Sequence, residues 1–274
     1  MSTETAPVLP ACVALSLRAS LTKFASWGAA MQGQSAIGII VKQRESSWAY
    51  PVIKRCLDIA VSALLLVLLA PLFLLLAILI VLDSPGSPIF AQERVASIRR
   101  RDRYGRAREV TTFTFYKFRT MYRNASCDLH REFIAAYIRG DEEALSALQK
   151  ENGGEECRYK MARDPRITRV GRILRKTSLD ELPQLWNILK GDMSLVGPRP
   201  PLPYEVDIYE PWHLRRLETR PGLTGLWQVT ARSSANFEEM VRLDIRYVEN
   251  QSLWLDLKIL CMTPLAVLSG KGAR

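Results

Sequence analysis

Between Ile59 and Leu82 the chain carries no charge and is dominated by Leu, Val and Ile. At ~1.5 Å per helical residue this run reaches ~36 Å, enough to cross ~30 Å of hydrocarbon, and the plain expectation is one spanning helix. Pro71, in its middle, removes a helical hydrogen bond and favours a kink. Lys54 and Arg55 lie before the run, with Arg94, Arg99, Arg100, Arg101 and Arg103 after it. Cytoplasmic flanks attract such residues. A bent hairpin that enters and leaves by one face satisfies both features, while the residues alone leave the re-entrant and spanning readings open. Residues 1–49 show no clear period, are interrupted by Arg18 and Lys23, and lack the charged start of a signal peptide. That pattern predicts a poorly structured or loosely helical leader.

Beyond the turn Ser84-Pro85-Gly86-Ser87-Pro88 the pattern changes. Residues 98–110 form a charged loop, and Val110 to Met121, rich in Thr, Phe and Tyr, reads as a strand. Lys117 and Arg119, two apart, share one of its faces, for which a solvated face is the plain reading. Residues 124–160 are acidic, helix-prone and broken by Asn152-Gly153-Gly154, as in a peripheral helical insertion. Val170, Ile173 and Leu174 stripe a short helix whose other face carries Arg169, Arg172, Arg175 and Lys176. Ser178 and Glu181 have the capping-box spacing, but a helix capped there would hold Pro183 in its interior. The pattern favours a start at Asp180, with Pro183 in the first turn and Gly191 as the stop after Lys190. A rigid turn follows at Gly197-Pro198-Arg199-Pro200-Pro201, then a loop at Arg220-Pro221-Gly222-Leu223-Thr224-Gly225, and Leu226 to Val229 reads as a short strand leading to Arg232. Two amphipathic helices close the chain. Phe237 to Val248 has Phe237, Met240, Val241 and Ile245 as apolar positions; Ser252 to Leu268 starts with Trp254 and Leu255. Both suit a membrane surface or the core equally.

Charge narrows the partners. A formal charge of +10 attracts polyanions: nucleic acid, anionic lipid or phosphorylated substrates. Five scattered cysteines (Cys12, Cys56, Cys127, Cys157, Cys261) without a Cys-x-x-Cys point to reduced thiols in a cytosolic domain. With two histidines, His130 and His213, a His-rich zinc site is not expected, and both read as surface or packing residues. Asp180 alone would be a helix cap. With Glu181 beside it, a basic approach and the Arg199 turn, the pair points to a site handling phosphates with a metal, since a helix start favours carboxylates and phosphate alike. The prolines around Arg199 fix its backbone, as a guanidinium gripping phosphate or a base requires. The rival class is a non-catalytic, membrane-anchored basic protein binding anionic lipid or nucleic acid. It would leave the dyad unexplained, and no aromatic–basic surface for bases is visible, so no nucleic-acid partner is expected.

Several motifs occur in one order: Lys54-Arg55 through Asp58 before the apolar run, Tyr116-Lys117-Phe118-Arg119-Thr120-Met121, Ser178-Leu179-Asp180-Glu181-Leu182-Pro183-Gln184-Leu185, Ser194-Leu195-Val196-Gly197-Pro198-Arg199-Pro200, and Arg220-Pro221-Gly222-Leu223-Thr224-Gly225. Together they resemble the bacterial sugar transferases, the monotopic phosphoglycosyl transferase superfamily, from about Tyr50 to Arg274. The resemblance implies an α+β fold: a re-entrant membrane hairpin at 50–83, then a compact, mostly helical cytosolic catalytic domain at 84–274 with a small β element and amphipathic surface helices. It implies transfer of a sugar 1-phosphate, a hexose by expectation, from a UDP-sugar to polyprenyl (undecaprenyl) phosphate with release of UMP, initiating exopolysaccharide or capsule synthesis (a transferase of substituted phosphate groups, EC 2.7.8.-). Magnesium is the implied cofactor, and the inner membrane, with the catalytic domain on its cytoplasmic face, the implied location; a homo-oligomer is left open. Carried over residue by residue, Asp180 is the nucleophile, Glu181 its partner in metal and acid–base duties, and Arg199 part of the nucleotide-binding loop. Lys117, Arg119, Arg175 and Arg232 become phosphate ligands. The chain departs from the small members of the family at Ala70, where they carry Ser before the hairpin proline, and in the arginine-rich turn before the strand.

Overall fold

The computed structural model of the protein describes residues 49–99, 109–123, 128–151, 166–231 and 235–268. The leader before Ala49 and the expected ligand Arg232 lie outside the described residues. The charge-free run folds as two helices, α1 (Ala49–Leu68) and α2 (Ala70–Asp83), bent by 61° at Leu69. Pro71 falls in the first turn of α2, where it cannot donate to the Val67 carbonyl, so the α1 ladder ends there. The bend forms with Ala70 in place of the family's Ser. Among the described residues no single helix is long and apolar enough to cross a membrane, whereas this bent pair meets that length and composition when its arms are taken together. Its outer surface is uncovered, with Val67 77% and Leu82 78% exposed. The inner face of α2 is not: Leu76 and Ile80 bury against Phe118 and Leu174, with Leu179 and Leu182 alongside.

Strands β1 (Ile89–Arg99) and β2 (Glu109–Phe118) pair antiparallel, with Phe90 opposite Lys117 and an irregularity between Val95 and Ser97. Phe113 and Phe115 face inward while Thr112 and Thr114 are exposed, the alternation of a half-buried strand. The insertion forms α3 (Asp128–Arg139) and α4 (Glu142–Glu151). The first of these is not peripheral: Phe133, Ile134 and Tyr137 are buried, and the Tyr137 hydroxyl donates to Ala235 O at 3.0 Å.

Helix α5 (Arg169–Thr177), a 3-10 turn (Leu179–Glu181) and α6 (Gln184–Lys190) follow. Strand β3 (Ser194–Val196) pairs parallel with β4 (Gly222–Thr224); between them lie α7 (Pro203–Val206) and a 3-10 turn (His213–Leu217). His213 is a packing residue, its ring edge-on to Phe237 at 5.0 Å. Leu226 to Val229 is not the strand its sequence suggests but most of α8 (Leu226–Thr230). So short an apolar run has no period to separate the two, and the pairing register of β3 ends at Thr224. The chain then forms α9 (Phe237–Glu249), which buries Phe237, Met240, Val241 and Ile245 as expected and Asp244 besides, and α10 (Leu253–Leu268). Among the described residues the result is a mixed fold, mostly helical, with two small two-stranded sheets.

Candidate active site

The segment bearing Asp180 and Glu181 is clamped at both ends by the apolar helix pair. The Asp83 carboxylate, at the end of α2, accepts from Val170 N at 2.9 Å, beside Thr168 Oγ1, which caps α5 through Gly171 N at 2.9 Å. Gly171 permits close approach to the chain leaving β2, because a Cβ there would stand 2.2 Å from Thr120 O. At the other end Arg55 of α1 donates to Ile188 O at 2.6 Å and Leu189 O at 2.8 Å, satisfying the last carbonyls of α6. Gly191 stops α6 with φ 99°, as its place after Lys190 predicts.

Between these clamps, Ser178 takes φ 58°, the sole left-handed non-glycine backbone among the described residues. This reversal ends α5 and starts a 3-10 turn, with Glu181 N bonded to Ser178 O and Leu182 N to Leu179 O, each at 3.3 Å. The Ser178 side chain makes no cap. Leu185 N bonds to Leu182 O at 3.0 Å and Trp186 N to Pro183 O at 3.1 Å, each three residues back, so the tight winding continues past the dyad and the α-helix begins at Gln184 rather than at Asp180. The dyad therefore stands on a tight turn ahead of the helix. Leu179 and Leu182 anchor that turn in the core shared with α2, leaving Asp180 and Glu181 half-buried on its other faces. Asn187, fully buried, stitches α6 to β2 by donating to Thr114 O at 2.7 Å and accepting from Tyr116 N at 3.1 Å.

The Gly197–Pro201 turn rests on the loop after Arg220. Gly197 N donates to Thr224 O at 2.9 Å and Gly222 N to Pro198 O at 2.8 Å. A Cβ on Gly222 would meet Gly197 N at 2.0 Å, so two glycine motifs distant in sequence form one bracket. From this bracket Arg199 Nη1 reaches Glu181 Oε1 at 3.4 Å. Lys117 projects from β2 over the Phe90 ring, 5.4 Å from its centre. Burial, then Arg94, push its ammonium down to about 8; Asp180 pulls it up, and Arg175 and Arg199 push it further down. Arg175, Asp180 and Arg199 are thus each within electrostatic reach of Lys117, and the arrangement can hold a polyanion against a carboxylate pair.

Arg119 does not join them. It lies past the end of β2, where its guanidinium donates to Pro85 O at 3.1 Å and to Ser84 O, closing the turn after α2. Lys54, Arg55 and Asp58 stand in a recognised motif without an assigned role in the sequence reading, and prove to be anchors. Lys54 Nζ bonds Asp256 Oδ2 at 2.7 Å and Val196 O at 3.0 Å, and Asp58 Oδ1 accepts from Leu195 N at 2.9 Å. Burial of charged residues would have been the signal for them, and spacing does not reveal it. Among the described residues no cluster of three or more His, Cys, Asp or Glu could hold a metal. The dyad still suits magnesium, which commonly takes one or two carboxylates and completes its shell with water and substrate phosphates.

The family described as "Bacterial sugar transferase" matches residues 49–270. The chain belongs to that family. It is 39% identical over 221 residues to the undecaprenyl-phosphate galactose phosphotransferase of Salmonella typhimurium, covering 81% of this chain and 41% of that protein. With the UDP-glucose:undecaprenyl-phosphate glucose-1-phosphate transferase of Caulobacter vibrioides the identity is 40% over 228 residues, 80% of this chain and 71% of the relative. With the exopolysaccharide production protein ExoY of Rhizobium meliloti it is 36% over 222 residues, 80% and 87%. The chain spans less than half the length of several relatives it matches, 41–44% of four of them.

Proposed function

We propose that the chain is a phosphoglycosyl transferase that moves a hexose 1-phosphate from a UDP-sugar to undecaprenyl phosphate and releases UMP. This would be the first membrane step in building an exopolysaccharide, capsule or O-antigen. The observation that carries the reading is the half-buried Asp180–Glu181 pair on a clamped turn, with Lys117 in electrostatic reach of Asp180 and Arg199 paired with Glu181. Two relatives named for transfer to undecaprenyl phosphate support the acceptor, and those named for galactose and glucose support a hexose.

In this reading an Asp180 carboxylate oxygen attacks the sugar-bearing phosphorus. The bond from that phosphorus to the bridging oxygen breaks, and UMP leaves with the electron pair. An oxygen of the lipid phosphate then attacks the same phosphorus, the bond to Asp180 breaks, and the carboxylate is restored. Two displacements replace one, each at a centre whose negative charge Lys117, Arg175 and Arg199 offset. Magnesium held by Asp180, Glu181 and the donor's phosphates would draw charge from the leaving group. Glu181, paired with Arg199, keeps that guanidinium beside the dyad. The bent pair α1–α2 would sit in the inner membrane as a re-entrant hairpin, bringing the site to the lipid phosphate on the cytoplasmic face.

Incubating the protein with donor and magnesium but no acceptor tests this. Intact-protein mass should rise by one phosphosugar, mapped to Asp180. Asp180→Asn should lose both adduct and turnover while keeping its fold. An adduct on Glu181, or substantial turnover in Asp180→Asn, would sink the assignment.

A further inference from the structure

The segment from Arg199 to Pro201 is held from behind by a buried charge network that the reaction itself does not use. Arg216, 2% exposed, donates from Nη2 to Asp244 Oδ2 at 2.5 Å and to Arg199 O at 3.5 Å, and from Nη1 to the Tyr209 hydroxyl at 3.0 Å. Arg94 of β1 donates to Pro200 O at 2.9 Å, and Val95 N to Pro201 O at 3.0 Å. A small cavity of about 20 Å³ between them is lined by Arg94, Arg199, Glu205 and Arg216, with Tyr137 of the insertion.

A buried ion pair is weak evidence of stabilisation, because desolvating two charges offsets much of their attraction. This pair is also imperfect as a stability device, since Asp244 Oδ1 finds no hydrogen-bond partner. What it does have is directionality. A planar fork fixed by Asp244 and Tyr209 presents Nη2 to one backbone carbonyl, that of the residue whose side chain meets Glu181.

We propose that Arg216, locked by Asp244 and Tyr209, is a positioning residue that sets the backbone at Arg199 and so aims its guanidinium at the donor nucleotide. The inference rests on Arg199 serving the donor, as proposed above. Arg216→Lys keeps a cation for Asp244 but cannot bridge Asp244, Tyr209 and Arg199 O together. A purely structural pair would lower stability and affect both substrates alike; a positioning residue affects the donor.

The test is steady-state kinetics of the full chain in lipid nanodiscs, with UDP-sugar and undecaprenyl phosphate varied in turn. Wild type, Arg199→Ala, Arg216→Lys and the double variant are compared, each checked for folding by circular dichroism. Arg216→Lys should raise the donor KM about tenfold, the equivalent of ~1.4 kcal/mol, and leave the acceptor KM unchanged. Combined with Arg199→Ala it should add nothing further, since both act through one side chain. Should Arg216→Lys fail to fold, Tyr209→Phe carries the test with a smaller donor-only rise, about threefold, again absent on top of Arg199→Ala. Additive effects, or equal rises for donor and acceptor, overturn the inference while leaving Arg199 a donor ligand. An unchanged donor KM in Arg199→Ala overturns both.

Discussion

Lys117 connects the acid–base chemistry of the site to a measurable pH dependence. Burial, aided by Arg94, Arg175 and Arg199, lowers its pKa from 10.5 to about 8 despite the pull of Asp180. Between about pH 8 and 10.5 the unfolded chain then binds a proton that the folded chain has released, so this group's contribution to stability grows as pH rises across that window. Binding of the proposed UDP-sugar donor should run the other way. A diphosphate favours the ammonium, so it raises the pKa, takes up a proton near pH 8 and binds more weakly as pH climbs past that value. Calorimetric titration with an unreactive UDP-sugar analogue, whose substituted diphosphate does not itself titrate in this range, in buffers of different ionisation enthalpy should register uptake of a fraction of a proton at pH 8 and almost none at pH 6.5. Uptake at pH 8 that persists unchanged in Lys117→Met would show that another group is responsible. The same residue marks what spacing can and cannot reveal. Lys117 and Arg119 are equivalent by alternation, yet β2 ends at Phe118, so Arg119 leaves that face and ties down Ser84 and Pro85 instead.

Elements divide the same way. Stops written in local chemistry, such as Gly191 after α6 and the break around Pro71, are legible in the sequence because a backbone constraint acts at the residue itself. The start of α6 is less so, because Ser178 adopts a left-handed backbone that serine rarely takes, in a turn held by its own bond to Arg175 O and by the packing of Leu179 and Leu182 on α2. The 226–230 helix and the burial of α3 against α9 depend on partners far away in sequence, which no local pattern records. The motifs of the dyad and of Arg199 were readable as a set, but the bracket of Gly197 on Gly222 that joins two of them was not. At this scale the clamp on α6 is open to test. Arg55→Ala removes two charge-assisted bonds to the carbonyls of Ile188 and Leu189, and should cost ~1–3 kcal/mol. In a chain of this size that corresponds to a fall of several degrees in the unfolding midpoint in detergent, with faster exchange of the α6 amides. Arg55→Lys should recover part of it. An unchanged midpoint in Arg55→Ala would mean that α6 is held by packing and by Asn187 alone.

For the whole molecule, the decisive relation is that both ends of the apolar pair are bonded to the same body. Near the start of α1, Lys54, Arg55 and Asp58 reach Val196, Ile188, Leu189 and Leu195; at the end of α2, Asp83 accepts from Val170 N in the first turn of α5, and Ser84 and Pro85 are bound by Arg119. A pair that crossed the bilayer would place these two sets of contacts ~30 Å apart across hydrocarbon, and one compact body cannot make both. The bend of 61° and the exposed Leu and Val on the outer surface suit a wedge that enters one leaflet and returns. On the re-entrant arrangement proposed above, residues before α1 and after α2 should share one side of the membrane, the cytoplasmic one. Single cysteines placed at Ser47 and Ser87, in a background with the native cysteines replaced, can be challenged with a membrane-impermeant maleimide. Both should stay unlabelled in intact spheroplasts and react once the membrane is permeabilised. Labelling of Ser47→Cys in intact spheroplasts while Ser87→Cys stays protected would establish a spanning helix. The contacts of Lys54 and Arg55 with β3 and α6 could then not exist in the membrane-bound enzyme, and the clamp on the Asp180–Glu181 turn would fall with them.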